Sequence, residues 1–302
     1  MSKNVAASVH QRLLNQARDS GRPFDELLQY YAMERFLYRL SQSSYRDSFV
    51  LKGALLFRIW ADPDSRATRD MDFLAFVGNS LENLVEVIQS MASLEVPDDG
   101  LVFDPESVTA ERIKENADYE GVRIRFRTFL GQARVTMQID VGFGDVVHPG
   151  VVEIEYPTLL DFPPPSLRSY PPETVIAEKV EAMLHLGELN SRMKDFFDVW
   201  RLSRIHSFDA RILSEAIQAT LDNRKTNIVA FEMLREELLN SSDKQAQWTA
   251  FLRNAGVDAP DSFVSLLDAL GRFLSPLLDA IERRNLIEGN WSASEAWKIR
   301  SK

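Results

Sequence analysis

The chain of 302 residues contains no cysteine, so it can build neither a disulfide framework nor a thiolate metal site. Nowhere does it hold the run of roughly 20 uncharged apolar residues that a membrane-spanning helix needs. Its opening stretch, MSKNVAASVHQRLLNQARDS, is charged throughout and lacks a signal-peptide core, which argues against secretion and for a cytoplasmic protein. Histidine is scarce: His10, His148, His185 and His206 stand far apart, and no zinc-hydrolase spacing exists among them. Positive charge is also in deficit. The formal net charge of −10 argues against non-specific nucleic-acid binding, yet leaves room for a local basic cleft. A metal, if used, would be held by oxygen ligands, which favours a hard ion such as Mg²⁺.

What the chain does hold is 45% hydrophobic residues, enough for one large core or two smaller ones. The pattern is helical up to about Gln42, broken at Gly21-Arg22-Pro23-Phe24, where Pro23 suits the first turn of a second helix. That helix, near Asp25 to Ser41, places Leu27, Leu28, Tyr31, Phe36, Leu37 and Leu40 on one side. An apolar run from Phe49 leads into Gly53 and then a helical pattern through Phe57. Arg66 to Val77 reads as a loop entering a strand, and Leu81 to Met91 as an amphipathic helix. Val122 to Leu130 and Arg134 to Val141 both alternate in polarity. With Gly131-Gln132 between them they predict an antiparallel hairpin. The proline-rich segment from Pro157 to Pro172 predicts a semi-rigid connector, and the rest is helical in period. The expected division is an α+β domain over 1–160 and a helical domain over 161–302.

Residues i and i+2 of a strand point to the same face, so Asp70 and Asp72 would stand side by side. Like charges held that close call for a neutralising cation, and a divalent ion can also bridge to a phosphate. Asp140 lies on the polar face of a strand whose Ile139 and Val141 point the other way. Were that strand beside the Asp70–Asp72 strand, three carboxylates would converge on a site able to hold two metal ions. Alone, an Asp-x-Asp pair is more often a surface loop; the combination carries the argument. Gly53, between strand and helix, lets backbone approach a phosphate closely, or is simply a tight turn. Arg66 and Arg69 flank the acidic pair and are placed for phosphate contact.

These residues occur in a recognisable order: Phe49-Val50-Leu51-Lys52-Gly53-Ala54-Leu55-Leu56; Arg66-x-Thr68-x-Asp70-x-Asp72-Phe73; Ile139-Asp140-Val141; Glu178-Lys179-x-x-Ala182; Arg192-x-Lys194-Asp195-x-x-Asp198. The set resembles the AbiEii/AbiGii toxin family, nucleotidyltransferase-like proteins of toxin–antitoxin and phage-abortive systems. The likeness runs from about Leu28 to Leu202. It implies a DNA polymerase β-type nucleotidyltransferase fold, α+β, with a mixed or antiparallel sheet flanked by helices and an all-helical C-terminal domain closing the cleft. It also implies that Lys52, Gly53 and Ala54 contact a nucleoside triphosphate (NTP) and that Asp70 and Asp72 ligate Mg²⁺, with Asp140 as third acid. Lys179 and Asp195 would line the same cleft. Further implications are transfer of a nucleotide to RNA, most often the tRNA acceptor end, and a cognate antitoxin, often with a winged-helix domain. Ala54 departs from the Gly-Gly or Gly-Ser of the wider superfamily and offers no hydroxyl.

In the helix opening at Pro171-Pro172-Glu173, Ile176, Val180, Met183 and Leu184 form the apolar stripe, with Lys179 at its edge. Asn190 or Ser191 would cap the next helix, where Asp195 and Asp198 share a face and Lys194 can pair with Asp198. Within the motif, Lys179 would neutralise phosphate charge and Asp195 would orient it. Arg123, Arg125 and Arg127 make either a basic surface for triphosphate or RNA, or a solvated face balanced by acids. Three functions are open: an RNA nucleotidyltransferase toxin, a transferase acting on a protein or small-molecule hydroxyl, and an inert binding subunit on the same scaffold.

Overall fold

The structure, a computed structural model, describes residues 4–60, 67–116, 119–285, 287–293 and 296–299. Asn4 opens helix α1 (Val5–Ser20) by accepting a hydrogen bond from the Ala7 N–H, and Gly21 ends it in the left-handed region at φ 69°. Helix α2 (Phe24–Gln42) follows, with Pro23 just before its first turn. The expected apolar side is present, but burial extends almost all round the helix from Leu27 to Ser41. Its arginines permit this. Arg35 and Arg39 reach Asp99 at 3.2 and 2.7 Å. Their guanidiniums lie over the rings of Tyr38 and Phe103 at 4.3 and 4.5 Å, so the buried charges are paired and packed.

Seven strands among the described residues form one mixed sheet. They are β1 (Phe49–Lys52), β2 (Asp70–Ala75), β3 (Leu101–Asn116), β4 (Tyr119–Leu130), β5 (Ala133–Gly142), β6 (Val152–Glu155) and β7 (Ser166–Ser169), in the order β3-β4-β5-β2-β1-β7-β6. The pairs β2–β5 and β1–β7 are parallel and the rest antiparallel. After β1 the chain makes a 3-10 turn (Gly53–Leu55) and the single-turn helix α3 (Leu56–Ile59), the helical pattern expected after Gly53. Helix α4 (Leu81–Ala92) starts at Ser80, whose hydroxyl accepts from the Asn83 N–H.

Two elements depart from the sequence reading. Leu101–Asn116 is a long strand without clean alternation, because Pro105 falls in it and its register on β4 shifts between Asp104 and Thr109. The proline-rich segment is more than a connector: Ser166–Ser169 pairs with β1 and β6 inside the sheet. Its prolines lie outside those four residues, so the strand keeps its backbone donors.

The chain divides into two compact units. The first takes in the N-terminal helices, Ala67–Gly144 and Val152–Ser169; the second takes in Asp145–Val151 and the chain from Tyr170. Helices α5 (Pro172–Leu186), α6 (Met193–Ile205), α7 (Ala210–Arg224), α8 (Phe231–Asn240), α9 (Lys244–Ala255) and α10 (Phe263–Glu282) build the second unit. A short three-stranded sheet accompanies them: β8 (Phe208–Asp209), β9 (Gly289–Ser292) and β10 (Ala296–Ile299). The helical reading therefore gains one addition, a small sheet whose Trp291 ring meets Phe273 of α10 at 4.8 Å.

Candidate active site

Strand pairing places four charged residues in one row. Lys52 of β1 is opposite Asp72 of β2, Asp72 is beside Asp140 of β5, and Asp140 is opposite Arg123 of β4. Paired positions share a face, and adjacent strands lie about 4.8 Å apart, so the row is a set of neighbours. Two residues along, on the same face, Asp70 is beside Gln138, which is opposite Arg125. The sheet thus brings Asp70, Asp72 and Asp140 to one face, with Asp70 and Asp72 half-buried and Asp140 buried. Lys52 is also buried.

Gly53 is fixed by this row. Its φ is +74°, and a Cβ added there would fall 2.0 Å from Asp72 Oδ2. Only glycine lets the chain turn out of β1 this close under the Asp72 carboxylate. The close approach predicted for a phosphate is therefore, within the protein itself, an approach to the acid. Ala54 is buried behind it. The loop into β2 is held from α2: Tyr30 Oη accepts from the Thr68 N–H at 3.1 Å, and Gln29 Nε2 donates to the Arg69 carbonyl at 3.3 Å. Arg69 is exposed at the entrance to β2. Arg66 lies outside the described residues.

Asp140 has a partner that the motif did not announce. Arg123 Nε and Nη2 donate to its two oxygens at 2.8 and 2.6 Å. These hydrogen bonds, opposed by burial and helped by the charges of Asp140 and Asp70, raise the guanidinium above its ordinary range. The signal was in the sequence. A two-residue turn at Gly131-Gln132 sets Leu130 opposite Ala133, and counting back puts Arg123 opposite Asp140. The other two arginines of the strand are paired as well: Arg125 with Glu111 at 2.6 Å, Arg127 with Asp104 at 2.8 Å. For Arg125 and Arg127, the balanced face is the reading observed. Among the described residues no three His, Asp or Glu side chains are grouped so as to hold a metal ion.

In the second unit, Lys179 of α5 meets both acids of α6. Its Nζ lies 2.8 Å from Asp195 Oδ1 and 2.8 Å from Asp198 Oδ2. Asp198 is thus a partner of Lys179, where the helical spacing had suggested Lys194. The expected cap differs too. Helix α6 starts after Arg192 with no side-chain cap, while Asn190 Oδ1 accepts from the Arg192 N–H at 2.8 Å. Beside Lys179, Glu178 joins a cluster around Arg224, whose guanidinium also reaches Asp145 and Glu181 at 3.0 and 2.9 Å.

The family model of the nucleotidyl transferase AbiEii toxin, type IV toxin–antitoxin system, matches residues 35–274. The chain belongs to this family. As an AbiEii-family protein it is a nucleotidyltransferase and the toxin of a toxin–antitoxin pair, so an NTP and an antitoxin are its implied substrate and partner. Two solved Helicobacter pylori structures are similar to it. JHP933 is 16% identical, with a TM-score of 0.46, covering 86% of this chain and 94% of that one. The second, whose assignment as a nucleotidyltransferase is itself provisional, is 16% identical with a TM-score of 0.44, covering 86% and 97%. No curated protein matches the chain. Among the described residues no helix is long and apolar enough to cross a membrane.

Proposed function

We propose that this AbiEii-family toxin moves a nucleotide from an NTP to RNA, with the tRNA acceptor end as its target, in a Mg²⁺-dependent reaction in the cytoplasm. The observation that carries the site assignment is the seat of Asp72: a glycine at positive φ lies directly under its carboxylate, with Asp70 two residues away on the same face. The donors are hard oxygens, which fit Mg²⁺, and Asp70 and Asp72 are the residues that would hold it. When bound, the ion would polarise the transferred phosphoryl group and offset its charge. The buried Lys52 places a positive charge next to Asp72, and Arg69 is exposed where a triphosphate would enter. Lys179, held by Asp195 and Asp198, is proposed to serve the same reaction as a fixed cation. The tRNA target rests on the resemblance of the ordered motifs, as does a winged-helix antitoxin. Arg125 and Arg127 lend it no support, since each is paired with an acid.

The test is to incubate the protein with total tRNA, Mg²⁺ and each labelled NTP in turn. Label should enter tRNA, and Asp70→Asn and Asp72→Asn should abolish it. Label found only on a protein band or a small molecule would replace the acceptor. An unchanged rate in both variants would remove Asp70 and Asp72 from the chemistry.

A further inference from the structure

Arg123 and Asp140 meet edge to edge, with two N–H groups of the guanidinium on the two oxygens of the carboxylate. This forked geometry holds both planes and leaves little reason for either group to move. The two partners differ in access. Asp140's side chain is 11% exposed and Arg123's is 30% exposed. The carboxylate is enclosed with an oxygen on each prong, whereas the guanidinium keeps Nη1 outside the fork. Asp140 is also beside Asp72 in the sheet, so the fork neutralises one of two adjacent like charges.

We propose that Arg123 binds the triphosphate of the incoming NTP and that Asp140 is the positioning residue that aims it, rather than a third metal ligand. This rests on the nucleotidyltransferase reading of the Asp70–Asp72 face given above. A carboxylate-held arginine suits the task. Its charge persists at every accessible pH, its planar fork is already oriented, and its Nη1 lies outside the fork on Asp140.

Two titrations on the full chain test it, neither needing the acceptor. The first measures Mn²⁺ affinity by the loss of the free-ion electron paramagnetic resonance signal. The second measures equilibrium binding of each of the four NTPs in excess Mn²⁺. Asp70→Asn and Asp72→Asn should weaken Mn²⁺ binding by about tenfold or more, whereas Asp140→Asn should keep it within about twofold. Arg123→Ala and Asp140→Asn should each weaken NTP binding by about tenfold or more, with no rescue by Arg123→Lys, whose point charge cannot fill the fork. A purely structural role for the fork would not separate the two affinities in one variant. If Asp140→Asn does not fold, Asp140→Glu carries the same test, because it keeps the charge and displaces the oxygens. Loss of Mn²⁺ binding in the Asp140 variants to the level of Asp72→Asn would make Asp140 a ligand and overturn the inference. Unaltered NTP binding in Arg123→Ala would overturn it as well. A wild-type chain that binds neither Mn²⁺ nor any NTP would overturn the underlying site reading too, an outcome distinct from both.

Discussion

A methyl group at position 53 would lie 2.0 Å from Asp72 Oδ2 on a backbone at φ +74°. Both the space and the conformation exclude it. Gly53→Ala should therefore displace Asp72 and reduce nucleotide transfer at least about 100-fold, a few kcal/mol at the transition state. The melting temperature should fall by only a few degrees, since the strain is confined to one turn. Activity near wild type in this variant would mean that the Asp72 carboxylate does not depend on its glycine seat. That this glycine matters was legible from its place between strand and helix. What it meets was not legible, because Asp72 is opposite Lys52 only through the pairing of β1 with β2.

Helices α5 and α6 are joined through one cation and two acids. Asp198 is almost fully buried at 1% and Lys179 is 14% exposed. Removing the shared cation sets two neighbouring buried acids against each other. Lys179→Met should destabilise the protein by about 3–5 kcal/mol, and adding Asp198→Asn should recover part of that loss. Chemical denaturation of the single and double variants checks this, and additive losses would show that the two side chains are not coupled. The sequence placed Asp195 near Lys179 through the ordered motif, whereas Asp198 was assigned a neighbour on its own helix. Local spacing sees i and i+4; it does not see α5, whose Lys179 reaches Asp198 while Lys194 is exposed.

For the molecule as a whole, one buried acid sets part of the pH response. Burial pushes the Glu34 carboxyl up to about 7 from 4.5, against the opposing pull of the Leu159 N–H and Arg35. The folded chain thus binds this proton more tightly than the unfolded chain does. Stability from this group is fully present below about pH 4.5 and is lost as pH rises to about 7, by roughly 3 kcal/mol in all. Glu34→Gln should flatten that part of the stability–pH curve, so the gain of the variant over wild type grows through this window and then levels off. Thermal melts at half-unit pH steps would show it, and parallel curves for the two proteins would assign the slope to other groups. The apolar helix carrying Glu34 was evident in the sequence. Its burial on every side was not, because Glu34, Arg35 and Arg39 read as a polar face until Asp99 and Leu159 are brought to them.

Legible in the chain alone are the acidic pair on one strand face, the hairpin that sets Arg123 opposite Asp140, the helical character of the second half and, through motif order, the family. Apart from the family, which rests on motifs spread from Phe49 to Asp198, each depends on local periodicity or on residues a few positions apart. Long-range packing set two other partnerships, Asp72 over Gly53 and Asp198 on Lys179. It also drew Leu101–Asn116 and Ser166–Ser169 into the sheet. These are pairings across strands and helices, and they form because buried charges and backbone donors must be satisfied by whatever the fold brings within reach. The Asp70–Asp72 face was thus written in the chain, but the neighbours of the charges around it were set by strand order.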